Sequence, residues 1–331
     1  MSSASILFLS PRDVRTLLTL DECVAAVELA FRLHGEGRTA PPAVLGLNVS
    51  NGGFHVKAGV LPLSRNYFAA KFNANFPENP ARFGLATIQG MIILCDADNG
   101  SPLALLDSGD ITALRTAAAT VVASKHLARP DSRVVTVCGC GIQGRAQLAA
   151  LSRMFPLETV FAYDKSRQKA IEFEGELTAK LNLPIAVVDE LSDHILCSDI
   201  CLTCTTSREP LISEDDVRPG TFIVAVGADN PQKQEIQAAL MGRSKVVCDV
   251  IEQCAAMGDL HHALEAGTME IESVHAELGE IVAGRKPGRE SAEEVIVFDS
   301  TGMALQDVVT AATVYEKAIR DQAGTLLKLA A

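Results

Sequence analysis

Residues 133–164 read RVVTVCGCGIQGRAQLAALSRMFPLETVFAYD. Positions 133–138 are a short valine-rich apolar run, the pattern of a strand buried on both faces of a parallel sheet. Gly139, Gly141 and Gly144 follow at G-x-G-x-x-G spacing, with Ile142 and Gln143 between the last two. Helical periodicity covers 143–155, a second apolar run covers 160–163, and Asp164 stands at its tip, twenty residues past Gly144. The first glycine permits the tight turn. The second lets a pyrophosphate approach bare backbone. The third lets helix and strand pack closely, and the helix N-terminus supplies N–H groups and a positive dipole end. A carboxylate at the tip of the second strand accepts the ribose hydroxyls. Glycines at this spacing are weak evidence alone; strand, glycines, helix, strand and acid in order are strong evidence. The segment predicts a nicotinamide dinucleotide site, against a glycine turn that only packs or a site for another nucleotide. Asp164 favours NAD(H), while Lys165 and Arg167, next in line, could attract a 2′-phosphate and leave NADP(H) open.

Outward from this unit the strand–helix alternation continues to about residue 297. Apolar runs at 134–138, 160–163, 185–188, 200–204, 222–226 and 245–248 predict a Rossmann-type, doubly wound parallel sheet. Upstream the pattern differs. An opening helix is expected over 12–35, then short strands from 43 to 106 separated by Asn51-Gly52-Gly53, Asn79-Pro80 and Asp98-Asn99-Gly100. A small-residue helix follows over 110–128, and a closing helix over 306–329 is expected to return to the N-terminal part. The chain therefore reads as α/β. A discontinuous substrate-binding and dimerisation domain, 1–128 and 304–331, of α+β type with a mostly antiparallel sheet, encloses the dinucleotide domain at 129–303.

The 331 residues suffice for about two domains. Apolar content of 48% with 21% charged residues fits a soluble globular protein. No run approaches the roughly 18 apolar residues of a membrane span, and MSSASILFLSPRDV turns polar too soon for a signal peptide. A net charge of −12 with no basic stripe argues against a nucleic-acid partner. Nine cysteines, mostly inside apolar runs, suggest reduced thiols in a cytoplasm. Cys197, Cys201 and Cys204 invite a metal reading, but in a strand over ILCSDICLTCTTS their side chains would alternate faces, so no metal is expected.

Several residues could carry chemistry. Lys71, at the end of a strand, and Arg115, where a loop enters a helix, could grip a carboxylate, the guanidinium through two parallel hydrogen bonds. The plainer reading is two solvated surface cations. Thr116 could bring a hydroxyl to a phosphate or could serve tight packing. Asp229, past a strand, could bind a substrate ammonium, pass a proton or begin a turn before Pro231. Thr205, Thr206 and Ser207 could line a nicotinamide or cap a helix. His55 and Lys57, two apart in a strand, share a face; a lone histidine is more often structural, though its pKa suits proton transfer. His261 and His262 read as surface.

The stretches KFNANFPENP, DSGDITALRTAAAT, VCGCGIQGRAQ, VGADNPQKQE, ELGEIVAGRKPGR and VFDSTGMALQD, in that order, resemble the ornithine cyclodeaminase/mu-crystallin family over almost the full length. The resemblance implies a homodimer joined through the N-terminal sheets, with NAD(H) or NADP(H) on the Rossmann domain. It implies that Arg115 and Lys71 hold a substrate carboxylate, that Asp229 is the catalytic aspartate, and that Lys233 matches the lysine four residues on. Val226, Gly227, Ser300 and Thr301 fall in the motifs expected at the cofactor. Two departures stand out. His55, followed by Val56, Lys57 and Ala58, replaces a glutamate thought to take part in cyclodeaminase catalysis. Val44, after Pro42-Ala43, replaces an arginine that grips the carboxylate, and Lys57 could supply the missing cation. The implied activity is NAD(P)H-dependent reduction of a small imino acid of the Δ1-pyrroline-2-carboxylate or ketimine type, in amino acid and proline metabolism. Ornithine cyclodeaminase, with NAD used catalytically, is the first alternative. An alanine dehydrogenase-like enzyme and a non-enzymatic mu-crystallin-like binder follow.

Overall fold

Val134–Cys138 forms the strand expected of it, and the parallel sheet builds out from it on both sides. In the computed structural model, which describes residues 5–328, this sheet has eight strands. Their order is Ala276–Glu277, Lys245–Cys248, Ile296–Asp299, Phe222–Ala225, Ile200–Thr203, Val134–Cys138, Thr159–Tyr163 and Ile185–Val187, all parallel. The chain winds one way from Val134–Cys138 through Thr159–Tyr163 to Ile185–Val187, then crosses to Ile200–Thr203 and winds the other way. The reversal lies between Val134–Cys138 and Ile200–Thr203, the place where such sheets hold ligands beyond their carboxyl ends. Val135, Val137, Leu202, Val224 and Phe298 are fully buried, as both-face coverage requires.

This sheet belongs to a unit spanning Thr116–Gly302; a second unit takes in the chain up to Arg115 and from Met303 onward. The division falls inside the helix Gly109–Leu127, not after residue 128. The second unit holds a seven-stranded sheet in the order Thr325–Lys328, Ser5–Leu9, Pro102–Asp107, Ile88–Asp96, Asn66–Asn75, Gly52–Pro62, Ala43–Val49. All neighbours are antiparallel except Ser5–Leu9 with Pro102–Asp107. Alternation assigns its faces. Tyr67, Ala69 and Lys71 point inward, under the helix Ala304–Asp321. A Cβ added at Gly59 would meet Leu305 Cδ2 at 2.8 Å, so the missing side chain lets this helix lie against the sheet.

Several expectations need correction. The opening helix is two, Pro11–Leu17 and Leu20–Gly35, because Thr19 and Glu22 form a capping box that starts the second afresh. Asn79-Pro80 begins a short helix, Asn79–Phe83, where proline suits the first turn. The closing helix stops at Asp321, where Gln322 adopts a left-handed cap, and Thr325–Lys328 pairs with Ser5–Leu9; Leu329 lies outside the described residues, as do the ends 1–4 and 329–331 of the expected first domain. Both of these strands, the edge strand Thr325–Lys328 and Ser5–Leu9 beside it, escaped the sequence reading. Cys197 ends the helix Ser192–Cys197 and Cys204 follows the strand that holds Cys201, so the three do not share one strand. Lys71 lies inside Asn66–Asn75, not at its end.

Candidate functional site

Gly139 has φ +103°, a backbone that side chains rarely adopt, and an added Cβ would meet the Cys204 carbonyl oxygen at 2.8 Å. An added Cβ at Gly144 would collide with the Gly139 carbonyl, so this glycine lets the helix Ile142–Met154 seat against the turn. Gly141, the residue before that helix, has open space around it and no side chain caps the helix start. Gln143 Oε1 is buried with no hydrogen-bond partner, while Ile142 is exposed. A bare helix N-terminus and an open glycine fit a dinucleotide's pyrophosphate.

Asp164 closes this turn. Its Oδ2 accepts from Cys140 N and its Oδ1 from Ser166 N, both at 2.9 Å, so the carboxylate is aimed by backbone and retains lone pairs for hydroxyl donors. Lys165 and Arg167 are exposed, and Arg167 is ion-paired with Asp189. Thr205 and Ser207 stand past Ile200–Thr203 but cap no helix, and Thr206 between them is exposed.

A residue absent from the sequence-based expectations organises this end of the sheet. Glu235, fully buried, accepts from Thr203 Oγ1 (2.7 Å), Thr205 N (2.5 Å), Thr205 Oγ1 (2.7 Å) and Gly227 N (2.8 Å). It ties the loop after Ile200–Thr203 to the loop after Phe222–Ala225. A side chain at Gly227 would strike its carboxylate. Burial raises the pKa of Glu235; burial, then the charge of Glu235, pushes Asp259 up to about 7. Its signal in the sequence was an acid directly before buried Ile236, which local pattern cannot tell from a surface residue.

Asp229 is 46% exposed at its side chain, and Lys233 Nζ donates to its Oδ1 at 2.6 Å and to Gly227 O at 3.3 Å. A carboxylate so held is a fixed hydrogen-bond acceptor. Val226 is half-buried beside Gly227. Ser300 and Thr301 are buried, and their hydroxyls donate to Asp249 at 3.0 and 3.3 Å, so both side chains point into the protein's own network. His261 and His262 are not surface residues: both are half-buried, and His262 Nε2 lies 2.8 Å from Lys233 O. Cys248, Cys254 and Asp299 bring ligand-type atoms within 4.8 Å of one another. Cys254 Sγ, however, donates to Asp249 Oδ1 and Asp299 O, both at 3.3 Å, and burial pushes its thiol well up, so it keeps its proton.

The second unit holds the cations. Lys71 is 3% exposed and Arg115 5%, which removes the solvated-surface reading. The register runs Val44, Lys57, Lys71 directly across three strands, so these side chains share the inner face. Lys57 thus stands in the row where Val44 replaces the family's arginine. His55 lies two residues before Lys57 on that face, opposite Asn73. Lys71 Nζ donates to Asp307 Oδ1 at 3.0 Å and lies 2.9 Å from Oδ2. Arg115 Nε is 3.2 Å from Asp307 Oδ1, and Arg115 Nη1 donates to Gln306 Oε1 at 2.7 Å. Burial, then the nearby Arg115 charge, brings Lys71 down to about 7 against the pull of Asp307. Burial alone would raise Asp307, but Lys71 and Arg115 carry it below the usual range. Asp307 was missed. Its signal was a lone acid among the apolar residues of ALQDVVTAATV. Thr116, next along the helix from Arg115, is buried.

A dinucleotide-type Rossmann unit joined in one chain to a unit with two buried cations paired to one aspartate defines the class. The chain belongs to the ornithine cyclodeaminase/mu-crystallin family, whose model matches residues 5–322. Alanine dehydrogenase of Archaeoglobus fulgidus is 38% identical over 323 residues, 97% of this chain and 98% of its own. An archaeal alanine dehydrogenase dimer with bound NAD superposes with TM-score 0.92 at 37% identity, covering 98% of this chain and 100% of its own. Thermococcus litoralis Δ1-pyrroline-2-carboxylate reductase, solved with NADH and L-proline, superposes at 0.91 with 34% identity, covering 97% and 99%.

Proposed function

We propose that this chain is an NAD(H)-dependent reductase of a small imino acid, of the Δ1-pyrroline-2-carboxylate or ketimine type. The observation that carries the reading is the buried trio Lys71, Arg115 and Asp307, two cations on one carboxylate. Burying charge is costly unless it is paired, and two cations on one carboxylate leave a positive charge that an incoming carboxylate would balance. When bound, NADH supplies a hydride to the carbon of the C=N bond. Arg115 and Lys71, with Lys57 beside them, hold the substrate carboxylate and so fix which carbon is presented. Asp229, aimed by Lys233, accepts the iminium N–H and keeps that nitrogen protonated; His55 is the other group for this role. Thr116, the Gly139–Gly144 turn and Asp164 bind the dinucleotide, with Val226, Gly227 and the main chain at Ser300 and Thr301. A panel of cyclic imines, pyruvate with ammonia, and amino acids, each with NAD(H) and NADP(H), tests this through nicotinamide absorbance. Turnover of no imine would overturn it.

The 38% identity to an alanine dehydrogenase favours a second reading, oxidative deamination of a small amino acid. The two share hydride transfer at a carbon between nitrogen and carboxylate. They separate on ammonia: a cyclic imine needs none, and pyruvate does.

Asp164→Ser should weaken NADH and improve NADPH in relative terms, by fluorescence titration. A wild-type preference for NADPH of about tenfold or more would remove Asp164 from this role.

The chain is also proposed to be a homodimer through the outer face of the seven-stranded sheet. Leu45, Leu47, Phe72 and Met91 lie on that face at 54, 56, 46 and 41% exposure, an apolar patch of a kind that marks an interface. Sedimentation at micromolar concentration should give twice the chain mass, and Phe72→Asp should halve it. No helix among the described residues is long and apolar enough to cross a membrane, and a cytoplasmic setting remains part of the proposal.

A further inference from the structure

We propose that Asp307 is the positioning residue of the carboxylate site, fixing Lys71 and Arg115 and keeping the lysine charged for an incoming anion. The inference deepens the imino acid reading and rests on it for the identity of the ligand.

Asp307 is 1% exposed in the first turn of Ala304–Asp321, where the helix dipole favours an anion. One carboxylate meets both cations: Lys71 Nζ at 2.9–3.0 Å and Arg115 Nε at 3.2 Å. Its neighbour Gln306 takes Arg115 Nη1 at 2.7 Å. Two fixed points on a planar guanidinium set the plane, and with it the direction of the remaining N–H groups. Asp307 itself never needs to touch substrate.

The charge follows. Lys71 faces Lys57 across the Gly52–Pro62 strand, with His55 two residues before it, and faces Arg115 from the helix Gly109–Leu127. Its neighbour on Ile88–Asp96 is apolar Ile92. From the helix Leu20–Gly35 comes Cys23, which electrostatically senses Arg115 and Asp307, and whose thiol burial pushes up to about 12, so it is neutral. Among these groups Asp307 is the anion. Lys71 already sits at about 7, brought down by burial and then by Arg115, and Asp307 is what opposes the fall. Without it, Lys71 would shed its proton below neutrality and stand uncharged at pH 7.

The test uses the full chain and two readouts. Calorimetry with pyrrole-2-carboxylate, a planar carboxylate that cannot be reduced, follows affinity between about pH 5.5 and 9. Wild type should bind tightly below a midpoint near 7 and weakly above it, because the cation is lost as pH rises. Asp307→Asn should move that midpoint down by about a unit or more, weakening binding at neutral pH by about fivefold or more. In turnover at neutral pH its KM should rise by about fivefold or more while kcat changes less than about threefold and NADH affinity holds. Asp307→Glu should keep the wild-type midpoint with affinity several-fold lower. A merely structural aspartate would lower the melting temperature and leave the midpoint alone. A folded Asp307→Asn with the wild-type midpoint overturns the inference. If that variant does not fold, Asp307→Glu decides, and wild-type affinity in it overturns the inference. Wild type that binds the carboxylate with this midpoint but reduces no imino acid leaves the inference standing and removes the imino acid reading.

Discussion

Purified protein with NADH is expected to reduce a cyclic imino acid at least about a hundredfold faster than it releases ammonia from ornithine with NAD. A cyclodeaminase must bind an amino acid with a distal amine, oxidise it, let it cyclise, lose ammonia and reduce the ring without releasing an intermediate. A reductase needs the last step alone. Where the family's cyclodeaminases carry a glutamate and an arginine, this chain has His55 and Val44. The structure puts Lys57 directly opposite Val44, so a cation remains in that row. His55, next on that face, offers no fixed negative charge for a distal ammonium. A hundredfold ratio needs only about 2.7 kcal/mol between the barriers, well within the effect of one lost charge pair. Release of one proline and one ammonia per ornithine, at a rate equal to imine reduction, would reverse the assignment.

Arg115→Lys is expected to lower kcat/KM for any carboxylated substrate by about tenfold or more. The substitution keeps the charge and removes the fork. Arg115 reaches Asp307 through Nε and Gln306 through Nη1. A lysine ammonium is a point charge that does not reproduce this planar two-point contact. A charged hydrogen bond is worth about 1.5–3 kcal/mol, which sets the expected loss. NADH affinity should hold, because the glycine turn, its helix and Asp164 lie in the Thr116–Gly302 unit and are untouched. Steady-state kinetics with a cyclic imine, beside NADH titration, make the comparison. Wild-type kcat/KM in this variant would remove Arg115 from the substrate site.

The dinucleotide half was legible because its signals are local. A valine-rich run, three glycines at fixed spacing, a helical stretch and an acid at the next strand tip all fall within 133–164. Each is enforced by neighbours a few residues away: Gly139 by its positive φ, Gly144 by contact with Gly139. The strands at 134–138 and 245–248 were read to the residue for the same reason. The strands Ser5–Leu9 and Thr325–Lys328 were not, since they pair with each other from opposite ends of the chain.

By itself, then, the sequence determined the alternation, the glycine turn, the acid at its tip, and which residue types could serve a carboxylate. Only the tertiary structure decided what those cations are. From spacing alone Lys71 and Arg115 read more plainly as surface residues, and nothing within a few positions of either says otherwise. Asp307, 236 residues from Lys71, makes the difference. So does Glu235, which joins loops that sequence reading assigned separately to the cofactor. Burial and pairing are properties of surfaces brought together by folding. A charge's role depends on what faces it there, and the partners that face these charges come from helices and strands distant along the chain.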